Sequence, residues 1–187
     1  LDDPSGTNIS IQLIDTSQLP KDHLHPNFSD GVEADPEKAP LIFVMDYAFG
    51  EQAYETIDEL LKTYKEQGKT YRLPVKSISI MGKAGILTGG KGDIMIPSAH
   101  VFEGTACEDF QELDSRVCEG AMITVLGTSL QNQDVLSYFK ESSWKAIGLE
   151  MEGAHYQKAI LAAMRIRKTI NQDVVVRYAY YASDNPL

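Results

Sequence analysis

Short apolar runs alternate with segments of helical periodicity through most of this chain of 187 residues. Leu41-Ile42-Phe43-Val44-Met45 is apolar at every position, which is typical of a buried parallel strand. In residues 51–67 apolar side chains instead recur every three or four positions, the spacing of one helical face. Strands that alternate with helices usually form a mostly parallel sheet that is covered on both sides. The sequence therefore predicts an α/β fold with a mostly parallel or mixed central sheet and helices on both faces.

The same patterns place the remaining elements and a domain boundary. Residues 1–40 predict an irregular amino-terminal segment, in which only residues 8–14 resemble an edge strand, and residues 41–187 form the predicted functional domain. Gly68 is expected to end the first helix, and Asp134 is expected to cap a short helix that reaches Lys140. The other predicted elements are strands over residues 75–81, 93–97, 121–126, 147–151 and 174–182, and a long helix over residues 152–167.

The charge balance excludes several classes of partner. Asp and Glu number 27 against 17 Lys and Arg, which gives a net charge of −10. Nucleic-acid backbones and anionic membranes are bound by basic surfaces, so neither is expected as a partner. The two cysteines, Cys107 and Cys118, are too few for a disulfide scaffold and indicate a cytoplasmic protein with reduced thiols. Because the chain starts at Leu1 and stops directly after a predicted site loop, we expect it to be part of a longer protein.

Three carboxylates follow apolar runs in the second half of the chain. Glu150 and Glu152 lie in Gly148-Leu149-Glu150-Met151-Glu152-Gly153-Ala154, and Asp184 follows the apolar residues 174–182. In α/β enzymes, polar side chains at the carboxyl ends of strands hold a ligand over the sheet. Residues two apart on a strand share a face, so Glu150 and Glu152 are not both expected to be solvated, and a buried carboxylate has to be paired or used. The alternative for each is a carboxylate that stabilises the start of a helix.

Other motifs leave two interpretations open. Gly82-Lys83-Ala84-Gly85 can bring backbone amides close to a ligand, or it can be a tight turn. Residues 85–92 resemble a phosphate-binding loop, but Gly92 stands where a magnesium ligand belongs and a strand follows, so a flexible turn is favoured. His23-Leu24-His25 has chelating spacing without a third ligand, which favours surface histidines and no metal site. His155 is interpreted as a helix-face side chain without a chemical role.

Together the motifs resemble the purine nucleoside phosphorylase and nucleosidase superfamily, and within it the AMP nucleosidases. Gly82-Lys83-Ala84-Gly85 and the following Gly92-Asp93-Ile94-Met95-Ile96-Pro97 are similar to the family's glycine loop and its Gly-Asp-apolar strand. Glu150-Met151-Glu152-Gly153-Ala154 resembles its Met-Glu ribose motif, and Ser183-Asp184 resembles its base-binding pair. Asn185-Pro186-Leu187 is close to the residues that follow this pair in AMP nucleosidases. The resemblance covers residues 41–187 and implies a three-layer sandwich of the nucleoside phosphorylase type.

The resemblance implies cleavage of the N-glycosidic bond of a purine ribonucleoside or ribonucleotide. Glu152 would hold the ribose hydroxyls, Met151 would pack under the sugar, and Asp184 would donate a proton to N7 of the base. Glu150, Ser183 and the glycine loop would line the site, with no cofactor or metal. A partly buried aspartate can stay protonated near neutral pH for this purpose. The alternatives are phosphorolysis of the same bond and a catalytically inactive purine-binding protein on the same scaffold.

Two departures from the family pattern bear on the reaction. Ile80 stands where phosphorylases of the bacterial hexameric type keep an arginine for phosphate, which favours water as the nucleophile. Lys83 is the cation that can replace this arginine or meet a 5′-phosphate. The family's first strand and its glycine loop are not evident in residues 1–40. Since apolar helix faces stay uncovered in a lone chain and the family's members pair or ring their subunits, we expect a symmetric homo-oligomer, a dimer or a hexamer built from dimers.

Overall fold

The structure, a computed structural model, describes residues 9–20, 22, 24–29, 35, 37–103, 120–126, 132–142 and 145–187. His23, Cys107 and Cys118 lie outside the described residues. The chain divides into two compact units, Leu1–Tyr47 and Ala48–Leu187. The boundary between the units lies after Tyr47, whereas the predicted boundary lay after residue 40. The reason is that the strand over residues 41–45 pairs with a strand of the first unit.

The first unit contains a two-stranded antiparallel ribbon in which Leu13 lies opposite Phe43. Its elements are β1 (Ile11–Asp15), a 3-10 turn (Thr16–Gln18), the short helix α1 (Pro26–Ser29) and β2 (Leu41–Met45). The predicted edge strand is therefore present, displaced toward Asp15.

The prediction that residues 41–45 form a buried parallel strand is wrong. The strand exists, but it runs antiparallel to β1, and within the single chain Leu41 and Phe43 are 63% and 45% exposed. Ile42 and Val44, on the other face, are each 44% exposed. An apolar run predicts that both faces of a strand are buried, but it does not predict which segment packs against them.

In its described residues, the second unit combines three helices with a hairpin and a six-stranded sheet. The hairpin and the helix before it are α2 (Gln52–Leu60), β3 (Tyr64–Glu66) and β4 (Lys69–Tyr71). The sheet and the other helices are β5 (Ser77–Ile86), β6 (Ile94–Met95), β7 (Ala99–Phe102), β8 (Ala121–Thr124), α3 (Gln133–Glu141), β9 (Gly148–Glu150), α4 (Gly153–Leu161) and β10 (Val175–Asp184). A π-helical turn at Ala162–Ile166 continues α4.

The six strands form a mixed sheet with the order β6-β10-β5-β9-β8-β7. The pairs β10–β5, β9–β8 and β8–β7 are parallel, and the pairs β6–β10 and β5–β9 are antiparallel. His100 of β7 nevertheless touches Tyr180 of β10, with their ring centroids 5.6 Å apart. Because three strands separate β7 from β10, the sheet has to be strongly curled. The predicted α/β class is confirmed, with a sheet that is mixed.

Helices cover both faces of this sheet. Ile123 and Leu149 pack in one buried cluster with Leu136 and Phe139 of α3, and we call this side the α3 face. Successive side chains on a strand point to opposite faces, so the next residues of β8 and β9 point to the other side, where α4 begins. We call this side the α4 face, and α2 packs against α4 there.

The first predicted helix is shorter than its apolar pattern, because a hairpin follows it. The helix ends at Leu60, and Gln67 and Gly68 form the two-residue turn between β3 and β4. Their φ angles of 48° and 78° are both positive, as a type I′ hairpin turn requires. Gly68 is therefore a turn residue, and its prediction as a helix cap is wrong.

Other element ends also differ from the prediction. β5 and β10 continue through Gly85 and Asp184, because the two strands stay paired as far as these residues, across a register shift at Ser183. The strand β7 was not predicted, since it has four residues with a histidine among them. Asn132, and not Asp134, caps α3, because its Oδ1 accepts from the amides of Asp134 and Val135 at 3.0 and 3.2 Å.

None of the described strands pairs with the outer side of β7, and a side chain of α4 lies there. The His100 amide donates to Gln157 Oε1 at 3.1 Å, and Gln157 Nε2 donates to the His100 carbonyl at 3.3 Å. The carboxamide therefore supplies the donor and the acceptor that a neighbouring strand would supply.

Candidate functional site

Glu150 is a buried carboxylate at the end of β9, on the α4 face. It is 4% exposed. The Thr124 hydroxyl donates to its Oε1, and the amides of Glu152 and Gly153 donate to its Oε2, the first at 2.6 Å. The Thr124 oxygen accepts in turn from the Ala154 amide at 2.9 Å. The first amides of α4, which no helical carbonyl can reach, are thereby satisfied within the chain.

The environment of Glu150 changes its acidity. Burial raises the pKa of this carboxyl from 4.5 to about 7, against the hydrogen bonds of Thr124, Gly153 and Glu152, which lower it. A carboxyl with such a pKa changes its charge in the neutral range, and groups of this kind are frequent at functional sites.

Glu152 lies directly before α4 and contacts the loop that precedes α2. Its Oε1 accepts from the Gly50 amide at 3.1 Å, and the Tyr156 hydroxyl oxygen accepts from the Ala48 amide at 3.0 Å. Gly50 has a φ of 55°, a conformation that favours glycine. Burial raises the pKa of Glu152, while the hydrogen bond from Gly50 opposes the increase. Two side chains at the start of α4 thus hold residues 48–50 beside the carboxylate.

His100 and Tyr180 meet under the start of α4. The His100 Nε2 lies 2.8 Å from the Tyr180 hydroxyl oxygen, and the His100 ring packs against Tyr178 with centroids 4.3 Å apart. Burial lowers the pKa of His100 to about 3, so its imidazole is neutral at physiological pH. A Cβ on Gly153 would lie 2.8 Å from the Tyr180 oxygen and would overlap the His100 ring. This position therefore requires glycine.

His155 is a buried side chain in the first turn of α4. Its ring meets Phe102 edge-on, with centroids 4.8 Å apart. Burial lowers the pKa of His155, the charge of Glu51 raises it, and the charge of Lys158 lowers it further. The sequence interpretation of His155 as a helix-face side chain holds for its position, and the structure adds that this face is buried against β7.

The predicted glycine loop is part of β5, and its residues alternate between the two faces. Gly82 is in register with Tyr180, which places Gly82 and Ala84 on the α4 face. Gly85 pairs with Leu149, which places Gly85 and Lys83 on the α3 face. The prediction of a loop at the carboxyl end of a shorter strand is wrong, because β10 pairs with this segment as far as Gly85.

Asp184 lies on the opposite face from Glu150. It is in register with Gly85, and a Cβ on that glycine would lie 3.5 Å from Asp184 Oδ2. Asp184 is exposed, and its Oδ1 accepts from the Ser183 hydroxyl at 2.6 Å. The expectation of a partly buried aspartate is therefore wrong, because the register shift at Ser183 turns this residue to an uncovered part of the sheet.

Met151 also lies away from Glu150. It is partly buried and packs, together with Val135, against the apolar cluster of the α3 face. Of the predicted site residues, the structure thus brings Glu150, Glu152, Gly82 and Ala84 to the α4 face and leaves Met151, Lys83, Gly85 and Asp184 with the α3 face.

Several residues around these carboxylates are not predicted from the sequence. Thr124 is the one with a recognisable signal, a hydroxyl at the end of an apolar strand. Tyr156, Gly50 and His100 carry no local signal, because their partners lie far away in the chain; Ala48 and Tyr156, for example, are separated by 108 positions.

Among the described residues, no group of three or more His, Cys, Asp or Glu side chains is placed to hold a metal ion. In the same part of the chain, no helix has the length and apolar character needed to cross a membrane.

Comparison with known proteins places the chain in one family. The sequence matches a family of unknown function (DUF6909) over residues 1–187. The chain belongs to this family. No curated protein is significantly similar to it. Since the family carries no assigned activity, the function has to be argued from the site.

Proposed function

We propose that the protein hydrolyses the N-glycosidic bond of a purine ribonucleoside or ribonucleotide, on a sandwich of the nucleoside phosphorylase type. The observation that carries this proposal is the arrangement of Glu150 and Glu152 at the start of α4. Glu150 fixes the amides of α4, and Glu152 is held beside residues 48–50 as a second, largely buried carboxylate. The mixed sheet with helices on both faces supports the proposed fold at the level of class.

The proposed chemistry uses Glu152 at the sugar. In the reaction the C1′–N9 bond breaks, its electron pair goes to the purine, and the ribose gains positive charge. A carboxylate on the ribose hydroxyls orients the sugar and stabilises that charge. A water oxygen then bonds to C1′ and loses a proton to solvent, while the base takes up a proton at N7. The Asp184 carboxyl, on the α3 face, is not placed to donate that proton.

A catalytically inactive purine-binding protein is the second candidate. The position of Asp184 favours it, because an exposed carboxyl on the α3 face is not held beside Glu152 as a proton donor would need to be. Phosphorolysis is less favoured than hydrolysis, because Ile80 stands where phosphorylases of the bacterial hexameric type keep an arginine. Ile80 is buried in β5 and has no charge to offer a phosphate.

A panel of nucleosides and nucleotides tests the proposal. The full chain is incubated with each compound, with and without phosphate, and the free base is followed by chromatography. We expect release of the base in phosphate-free buffer. Strict dependence on phosphate with ribose 1-phosphate as product means phosphorolysis, and binding without release means a binding protein.

We also propose that the protein is cytoplasmic, takes part in purine salvage without a cofactor or metal, and assembles as a homo-oligomer. The supports are the acidic charge, the two cysteines in 187 residues and the exposed apolar ribbon.

A further inference from the structure

The amides at the start of α4 are already bound by a carboxylate of the same chain. The amino end of a helix is the usual backbone site for a phosphate, because its first N–H groups have no helical partner. Here the amides of Glu152 and Gly153 donate to Glu150, and the amide of Ala154 donates to Thr124. A phosphate would have to displace Glu150, which is buried and would lose its partners.

In the part of the chain that the structure describes, the charged side chains that bind or flank these amides are mainly acidic. Glu150 and Glu152 follow one another within three residues, and Glu51 lies close enough to His155 to influence its charge. The imidazoles of His100 and His155 are buried, and their burial favours the neutral form. The charge of Lys158 also reaches His155, but the Lys158 side chain is exposed, and the buried charged side chains at the start of α4 are Glu150 and Glu152.

Two lysines, Lys83 and Lys158, could be expected to bind a phosphate here, but neither is held at the start of α4. Lys83 lies on the α3 face, with Gly85 and Leu149, and Ile80 is uncharged. Lys158 is exposed, with its Nζ 5.4 Å from the centroid of the Tyr54 ring. Neither lysine is therefore held beside Glu152.

From this arrangement we infer that the site accepts an uncharged ribonucleoside and rejects phosphate, both as a 5′-phosphate on the substrate and as an attacking nucleophile. The inference rests on the proposed function and narrows it to one substrate class. A phosphate at this site is repelled by the Glu152 carboxylate, and by Glu150 once Glu150 ionises above about pH 7. Salt screens the part of this repulsion that passes through solvent. The nucleophile is then water.

Adenosine and AMP, used as a matched pair, test this inference on the full chain. Base release is measured at low and high salt, and binding of each compound is measured by equilibrium dialysis. We expect kcat/KM for adenosine to exceed that for AMP by about tenfold or more at low salt, with a smaller ratio at high salt. The comparison is made at pH 8, above the Glu150 pKa of about 7, where Glu150 is mostly ionised. Glu150→Gln then removes negative charge, so it is expected to raise the AMP-to-adenosine ratio of kcat/KM.

Lys83→Gln is the control variant, because Lys83 lies on the other face and its loss is expected to leave that ratio unchanged. Preference for AMP, or a selective loss of AMP cleavage in Lys83→Gln, overturns the inference and leaves the nucleosidase proposal standing. If adenosine is bound more tightly than AMP but neither is cleaved, the inference that the site rejects phosphate stands and the hydrolase proposal fails. If neither compound is bound or cleaved, both the inference and the proposed function fail.

Discussion

The raised pKa of Glu150 predicts how the stability of the protein depends on pH. Below pH 4.5 the carboxyl is protonated in both the folded and the unfolded chain, so its contribution to stability does not change with pH there. Between 4.5 and about 7 the folded protein keeps a proton that the unfolded chain has lost. The contribution of Glu150 to stability is therefore fully present below pH 4.5, and it is lost as pH rises through about 7.

Replacing Glu150 by Gln removes this titration. The amide resembles the protonated carboxyl, since its oxygen can still accept from the amides of Glu152 and Gly153. We expect the free energy of unfolding of the parent to fall from pH 5 to pH 8 more steeply than that of Glu150→Gln. Chemical denaturation at several pH values measures both slopes, and equal slopes would contradict the raised pKa.

Gly153 is required by sterics at the start of α4. In Gly153→Ala the new methyl would be forced against His100 and Tyr180, both buried, and overpacking of this kind costs about 1–3 kcal/mol. Gly90→Ala is the matched control, because the nearest atom to its added Cβ is Asp93 Oδ2 at 4.0 Å. Thermal and denaturant unfolding compare the two, and a tolerated Gly153→Ala would mean that the two rings can move apart.

At the scale of elements, Tyr156 connects α4 to the loop before α2. In Tyr156→Phe the ring is retained but the Ala48 amide, which is buried, loses its acceptor. An unsatisfied buried donor costs about 1–3 kcal/mol. We expect this loss in denaturant unfolding, together with faster hydrogen exchange at residues 48–50. Tyr138→Phe is the control, since Tyr138 is exposed on α3. Equal destabilisation by the two variants would contradict a role for the hydrogen bond between Ala48 and Tyr156.

The sequence predicted the types of element better than their ends or partners. Apolar runs identified most of the long strands, because burial of a strand is a local property of its residues. The ends of β5 and β10 depend on their pairing with each other, and the hairpin depends on a Gln67-Gly68 turn that lacks the usual asparagine. The burial of Glu150 was predictable from its apolar neighbours. Its partner Thr124, which lies 26 positions away in the chain, was not.

At the scale of the whole molecule, the ribbon of the first unit bears on assembly. In the single chain Leu13 and Phe43 are opposite one another and are 65% and 45% exposed. We predict a homo-oligomer in which such surface is covered, and Leu13→Ser with Phe43→Ser is expected to lower the mass measured by light scattering. Lys65→Ser on the exposed hairpin strand β3 is the control. A parent protein that is monomeric at all concentrations would refute the prediction.

Gln157 has a consequence for how the sheet ends. A bare outer strand is a template on which further chains can add by backbone hydrogen bonding, and aggregation often begins there. At His100 both backbone groups on the open side of β7 are taken by the Gln157 carboxamide. A neighbouring chain that tried to extend the sheet would have to displace this side chain from its own backbone. The Gln157 side chain therefore opposes the addition of a further strand at His100.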